Sequence, residues 1–325
     1  MLTETQINQF NNDGYLIIKD SIDKNCIEKC LQAYKRMRLK CENYDYLGYR
    51  KFSDIAINDI YAIENIFNPD IFEEDIFKSI INSKVLEISQ KLLKDNNVFL
   101  SLNRLHCTKN ISHSGNWHRD GSAEGGSEEI DRMLIENEKE PMHIQATLPY
   151  FEEKGFYIIP GSHKFSNNFM KTADFLGTKK IFNNEVKLKI VPGELLVFNP
   201  FIIHRGTCPG RIENQRAHIH MRFTRTAKSN LVGRYKTDEI SFKHHKIYSM
   251  ANENWKNCFN QKLAEPKIWN KDIIQKKINF LNIKTILKLI LVAYNRSLYL
   301  FSKYLPIPQR TLENIKIIKY PYLKG

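Results

Sequence analysis

Arg216–Arg225, "RAHIHMRFTR", is the stretch from which the fold is read. Its period is two. Arg216, His218, His220 and Arg222 fall on one side, and Ala217, Ile219, Met221 and Phe223 on the other, as in a β-strand with one apolar face. An ordinary sandwich turns its apolar face inward. A barrel that holds a charged ligand inverts this, so the polar face is expected to line the interior and the apolar face to pack on helices. An arginine pointing into a barrel is costly unless an anion meets it, which makes Arg216 a candidate fork for a carboxylate.

Upstream of this strand, from Asn97 onward, the pattern is that of further short strands: "VFLSLNRLHC", "HIQATLPYF", "GFYIIPG", "VKLKIVPG" and "LLVFNPFIIHRG", separated by Gly, Pro and Asn turns. Strands without intervening helices predict a sandwich or open barrel. The first third alternates instead. "TETQINQFNNDG" predicts a helix capped by Thr3 and ended by Gly14, "YLIIKD" a strand, and "DKNCIEKCLQAYKRMRLKC" and "SKVLEISQKLLKD" two more helices. The result is a mainly β core with flanking helices on its N-terminal side. The acidic, glycine-containing stretch Ser122–Glu140 interrupts the strands and is a lid candidate.

That stretch follows "GNWHRDGS", Gly115 to Ser122. On an extended segment residues i and i+2 share a side, so His118 and Asp120 offer an imidazole and a carboxylate to one point. Fe(II) accepts both ligand types, and a two-histidine, one-carboxylate triad leaves coordination positions open. The second histidine is expected from "PGELLVFNPFIIHRGTCPG", where Pro200 stops the pairing and His204 emerges at the rim. An alternative metal pair is His218 and His220, as in a cupin-type isomerase. His163, in "PGSHK", belongs to a turn, and His244 and His245 sit in a basic stretch facing solvent.

The six cysteines, Cys26, Cys30, Cys41, Cys107, Cys208 and Cys258, form no C-x-x-C pair, and the start of the chain has no apolar signal run. Reduced thiols and a cytoplasmic location are expected. The net charge of +13 is unevenly placed: Ala227–Gly325 holds 19 Lys/Arg and 6 Asp/Glu, whereas the preceding residues balance at 30 and 30. Residues 278–305 are rich in Ile, Leu, Tyr and Phe. Lys277, Lys284, Lys288, Asn295 and Ser302 follow a helical stripe through this part of the chain. The uncharged run between Lys288 and Arg296 is far shorter than the roughly 20 residues a bilayer span needs. Such a basic amphipathic helix packs on the body or lies at the inner face of an anionic membrane. No zinc-finger, homeodomain or RNA-recognition signature is present, and no nucleic-acid partner is expected.

Taken in order, "FNNDGYLIIKD", "NWHRDG", "GFYIIPGSHK", "GELLVFNPFIIHRG" and Arg216 resemble the phytanoyl-CoA dioxygenase-like family of Fe(II)/2-oxoglutarate-dependent oxygenases, over about Phe10 to Phe223. The resemblance implies a double-stranded β-helix (jelly-roll, cupin-like) core. It implies Fe(II) held by His118, Asp120 and His204, with 2-oxoglutarate and O2 as cosubstrates and Arg216 on the far carboxylate of 2-oxoglutarate. Family members often carry a small hydroxyl residue two positions after the distal histidine. That position here is Gly206, which leaves Thr207 as the contact, and Asn103, Gln145 and Thr147 are further cosubstrate contacts by analogy. The carboxylate of Asp120, absent from related halogenases, favours hydroxylation of an aliphatic C–H, with succinate and CO2 as co-products.

The expected organisation is thus a dioxygenase domain over 1–226, helical to residue 95 and β from 96, followed by a basic, mainly helical extension over 227–325. The substrate is a small molecule or a lipid- or glycan-linked one presented at a membrane. A non-catalytic membrane-surface or scaffold protein on the same fold is the alternative.

Overall fold

The computed structural model of the chain describes residues 2–43, 49–51, 60–108, 112–114, 117–120, 141–164, 182–209, 216–228 and 245–260. The described residues all belong to one unit, which runs from Met1 to Ala264. The helix expected at 278–305 and the lid candidate at Ser122–Glu140 lie outside the described residues.

The chain opens with α1 (Glu4–Asp13), β1 (Tyr15–Ile18) and α2 (Lys24–Asn43). The Thr3 hydroxyl accepts the Gln6 amide at 3.2 Å while the Gln6 side chain accepts the Thr3 amide at 2.9 Å. This reciprocal cap fixes the start of α1, and Gly14 ends it. Next come β2 (Tyr49–Lys51), β3 (Ile60–Glu64), α3 (Glu74–Asn82) and α4 (Val85–Leu93). Helix α3 begins with Glu74 and Asp75 at its positive end and buries Ile76, Phe77 and Ile80 on one side.

The β core consists of β4 (Val98–Thr108), β5 (Ser112–Ser114), β6 (His143–Pro149), β7 (Glu153–Ile159), β8 (Val186–Ile190), β9 (Leu195–Phe198), β10 (Ile203–Pro209) and β11 (Arg216–Arg225). Its two antiparallel sheets have the orders β1-β9-β6-β11-β4-β3-β2 and β5-β10-β7-β8. The stretch "LLVFNPFIIHRG" is therefore split between sheets. Its first half pairs with β1 and β6, and its second with β7, while Thr207–Pro209 just beyond it pair with β5. This division between a larger and a smaller sheet is the jelly-roll arrangement expected for the core.

Strand β11 lies between β4 and β6. Its apolar residues Ala217, Ile219, Met221 and Phe223 are buried in one cluster with Met37 of α2, Phe77 of α3 and Leu92 of α4. Each large side chain withdrawn from water there contributes roughly 1.5–3 kcal/mol. Two helices expected to belong to the extension, α5 (His245–Met250) and α6 (Glu253–Asn260), contribute Ile247, Trp255 and Phe259 to that same cluster. The Trp255 indole donates to the Ile81 carbonyl at 3.1 Å. On the opposite side of the large sheet, Leu196 and Phe198 meet Phe156, Ile158, Leu188 and Ile190 of the small one. Apolar side chains thus fill part of the space between the sheets, and the polar face of β11 lines the rest.

Candidate metal centre

Backbone pairing, rather than side-chain attraction, brings the three expected ligands together. His118 and His204 exchange backbone hydrogen bonds at 2.9 and 3.0 Å, and the Asp120 amide donates to the Pro200 carbonyl at 2.8 Å. The segment carrying His118 and Asp120 is thereby laid against the start of β10. The two side chains, two residues apart, both face His204.

His204 Nε2 is 3.2 Å from Asp120 Oδ2, and His118 Nε2 is 3.7 Å from Asp120 Oδ1. Ligand atoms from all three lie within 4.8 Å of one another. Neighbouring ligands around an ion bound at ~2.1 Å stand about 3 Å apart, so this spacing fits a single metal ion. Among the described residues this is the one group of three His, Cys, Asp or Glu side chains so disposed.

The donor chemistry also fits. His204 Nδ1 is 3.0 Å from the Ile202 carbonyl, which can only accept, so the proton sits on Nδ1 and Nε2 keeps its lone pair. Gln145 Nε2 donates to Asp120 Oδ2 at 2.9 Å. Burial pushes the Asp120 carboxyl up, but His204 and His118 beside it hold it well below the usual carboxylate range. It stays an anion, as a ligand must. Phe156 stacks on the His204 ring at 5.4 Å and Phe198 meets it edge-on at 5.1 Å, shielding the imidazole.

The neighbours of both histidines in sequence are tied to each other. The Arg205 guanidinium lies 4.6 Å from the Trp117 ring centroid and 4.8 Å from that of Tyr157, and pairs with Glu185 at 3.2 Å. This cation–π stack links the residue before His118 to the residue after His204.

The polar face of β11 looks into the barrel as expected, but the partner of Arg216 belongs to the protein. Arg216 Nε donates to Glu153 Oε2 at 2.5 Å, and the same oxygen is 3.2 Å from His218 Nδ1. The other carboxylate oxygen accepts the Gly155 amide at 2.7 Å. The register of β7 against β8 shifts between Glu153 and Phe156. A side chain at Gly155 would run into the Thr207 carbonyl, 1.8 Å from its Cβ. Burial pushes Glu153 up, yet Arg216 and His218 win and hold it far below the usual range. Gly206 lies against the guanidinium: a Cβ there would stand 3.1 Å from Nη1 and 3.3 Å from Nη2.

The remaining expected contacts divide. Gln145 reaches Asp120, and Thr147 Oγ1 is 3.3 Å from His220 Nδ1, so both face the site. The Thr207 hydroxyl donates a hydrogen bond to the Gly155 carbonyl at 3.3 Å. Asn103 is placed differently from expectation. It stands opposite Met221 in the β4–β11 register, on the helix-covered face, while Arg104 and His106 take the interior positions. The alternative pair, His218 and His220, engages Glu153 and Thr147 and gathers no third ligand among the described residues. Burial, then Arg104, pushes His220 well below its ordinary value. Glu153 was not foreseen as part of the site. In "FEEKGFY" it precedes the glycine at which the strand is expected to begin, where a charge reads as a solvated turn.

No family model matches the sequence, and no curated protein matches it. Solved structures do match in fold. EctD from S. alaskensis, crystallised with 2-oxoglutarate and 5-hydroxyectoine, is 16% identical, covers 70% of this chain and 77% of its own, and superposes with a TM-score of 0.53. AviO1 from Streptomyces viridochromogenes Tue57 is 14% identical over 69% of this chain and 96% of its own, with a TM-score of 0.51. SnoK, a non-heme α-ketoglutarate-dependent carbocyclase from nogalamycin biosynthesis, is 10% identical over 69% and 85%, with a TM-score of 0.50. EctD is also solved with bound Fe. The chain has the fold of Fe/2-oxoglutarate-dependent oxygenases, as its resemblance to the phytanoyl-CoA dioxygenase-like family implies.

Proposed function

We propose that the chain is an Fe(II)- and 2-oxoglutarate-dependent dioxygenase that hydroxylates an aliphatic C–H bond of a small-molecule or lipid- or glycan-linked substrate. The observation that carries this is the convergence of His118, Asp120 and His204, with the His204 proton and the Asp120 carboxylate each fixed by a neighbour. His118 Nε2, one Asp120 oxygen and His204 Nε2 are the atoms that would hold the metal. When bound, iron and 2-oxoglutarate supply the oxidising chemistry, in which O2 is consumed, the 2-oxoacid leaves as succinate and CO2, and one oxygen atom enters the substrate.

The protein's part is to bind and orient. Gln145 keeps one Asp120 oxygen from swinging away, and Phe156 and Phe198 keep water off His204. Arg216 presents Nη1 and Nη2, which have no hydrogen-bond partner among the described residues, to the far carboxylate of the cosubstrate. With Asp120 present, all three protein positions of the triad are filled, leaving no place for a halide, which favours hydroxylation over halogen transfer. The basic stretch after Thr226 supports a substrate met at an anionic membrane surface.

The test is cosubstrate turnover by iron-loaded protein without added substrate. Succinate should form slowly from 2-oxoglutarate, and Asp120→Ala or His204→Ala should abolish both turnover and iron retention. Protein that cannot retain Fe(II) overturns the reading, and absence of any succinate favours the non-catalytic scaffold. Comparison of cell extracts with active and Asp120→Ala protein, scanned for a gain of one oxygen atom, then identifies the substrate.

A further inference from the structure

We propose that 2-oxoglutarate binds at Arg216 together with one proton, and that His218 takes that proton up. This rests on the oxygenase reading, and deepens it by assigning a role to Glu153 and His218. The anion that meets Arg216 is already in place: Glu153 Oε2 accepts its Nε–H, and both side chains are withdrawn from solvent, 13% and 3% exposed. Before any ligand arrives, the pair is electrically neutral. The guanidinium nitrogens that Glu153 leaves for a second carboxylate are Nη1 and Nη2, which lie close to Gly206.

A second carboxylate on that edge shares one positive charge with Glu153. Two buried carboxylates on a single guanidinium leave an uncompensated negative charge, which the interior does not tolerate without a proton or a cation. The neighbouring cation cannot serve, because Arg104 on β4 is paired with Glu64 of β3 at 2.8 Å. Three imidazoles face this wall. The His106 ring on β4 lies 5.0 Å from that of His218, and His220, two residues along β11, contacts Thr147. Strand β6 sets the uncharged Pro149 opposite His218. Of the three, His218 is the one within 3.2 Å of Glu153. Burial, and then Arg216, push His218 below its ordinary value in the ligand-free protein. It is therefore neutral near pH 7 and has a proton to gain. Protonated, it pairs with Glu153 and restores neutrality around the cosubstrate.

Because binding takes up a proton, affinity for 2-oxoglutarate rises as pH falls, by up to about tenfold per pH unit. Anaerobic, Fe(II)-loaded protein is titrated with 2-oxoglutarate calorimetrically near pH 7, in buffers of differing ionisation heat. About one proton should be taken up per ligand, and close to none in His218→Gln, which should bind measurably but more weakly. Glu153→Gln, a second and independent variant, removes one of the competing carboxylates and should likewise lose the uptake while binding. Binding without proton uptake in the parent protein overturns the proposal, as does uptake that persists in either variant. Failure of the parent protein to bind 2-oxoglutarate at all overturns the oxygenase reading itself, a separate result.

Discussion

Gln145 donates a single hydrogen bond to Asp120 Oδ2, the same oxygen that stands 3.2 Å from His204 Nε2. Groups that hold a metal ligand from behind typically contribute about 10–100-fold in metal affinity. Gln145→Leu should therefore weaken Fe(II) binding by a factor in that range while the protein stays folded, as read by competition with a metal-sensitive dye; unchanged affinity would show that Asp120 orients itself. At this scale the convergence of His118, Asp120 and His204 was legible in the sequence. The spacing of His118 and Asp120 is local, and His204 follows a strand end marked by Pro200. Asn103 was misplaced because strand faces alternate: an error of one position in β4 moves a side chain from the interior to the helix side. Arg104 and His106 are the residues that point inward. Glu153 was not legible, since its partners Arg216 and His218 are brought to it by packing between the sheets rather than by proximity in the chain.

Strand β11 separates two kinds of stability. Its outer face packs on helices, whereas its inner face carries Arg216, His218, His220 and Arg222. Neighbouring substitutions therefore test packing on one face and the metal assignment on the other. Ile219→Ala removes a fully buried side chain and should cost about 2–5 kcal/mol in denaturant unfolding, with Fe(II) affinity of the folded fraction intact. His220→Ala should leave Fe(II) affinity nearly intact too, because His220 contacts Thr147 and stands outside the group formed by His118, Asp120 and His204. Loss of iron in that variant would favour the H-x-H alternative. The alternation of β11 was legible because period two is set by the backbone. Helix α3 and strands β2, β3 and β5 were not foreseen. The last three are short, and their pairing follows from the long-range placement of β4 and β10.

For the molecule as a whole, the interior is furnished with imidazoles that resist protonation. Burial, as the first cause in each case, lowers His106, His143, His163, His218 and His220, with His163 brought to about 4 and His143 to about 3. An unfolded chain binds protons at these histidines near pH 6.5, and the native state does not. Stability should thus be level above pH 6.5 and fall as pH drops below it, by up to about 1.4 kcal/mol per pH unit for each histidine until its lowered value is reached. Urea melts of metal-free protein from pH 8 to pH 5 should show this decline, with a slope smaller by one proton in His163→Gln; a flat profile would contradict the buried, neutral histidines. Charge is segregated on the same scale. The residues up to Thr226 balance, and those beyond it carry the whole excess of +13. Among the described residues no helix is long and apolar enough to cross a membrane. A surface attachment through the basic segment depends on charge and therefore weakens with salt. The full chain should float with vesicles containing anionic lipid at low salt and be released as salt rises. Exchanging Lys277, Lys284 and Lys288 for Glu should abolish flotation without altering succinate formation from 2-oxoglutarate. Equal flotation of both proteins would place the membrane contact elsewhere, and absence of flotation in the unaltered chain would leave the basic segment without a role at membranes.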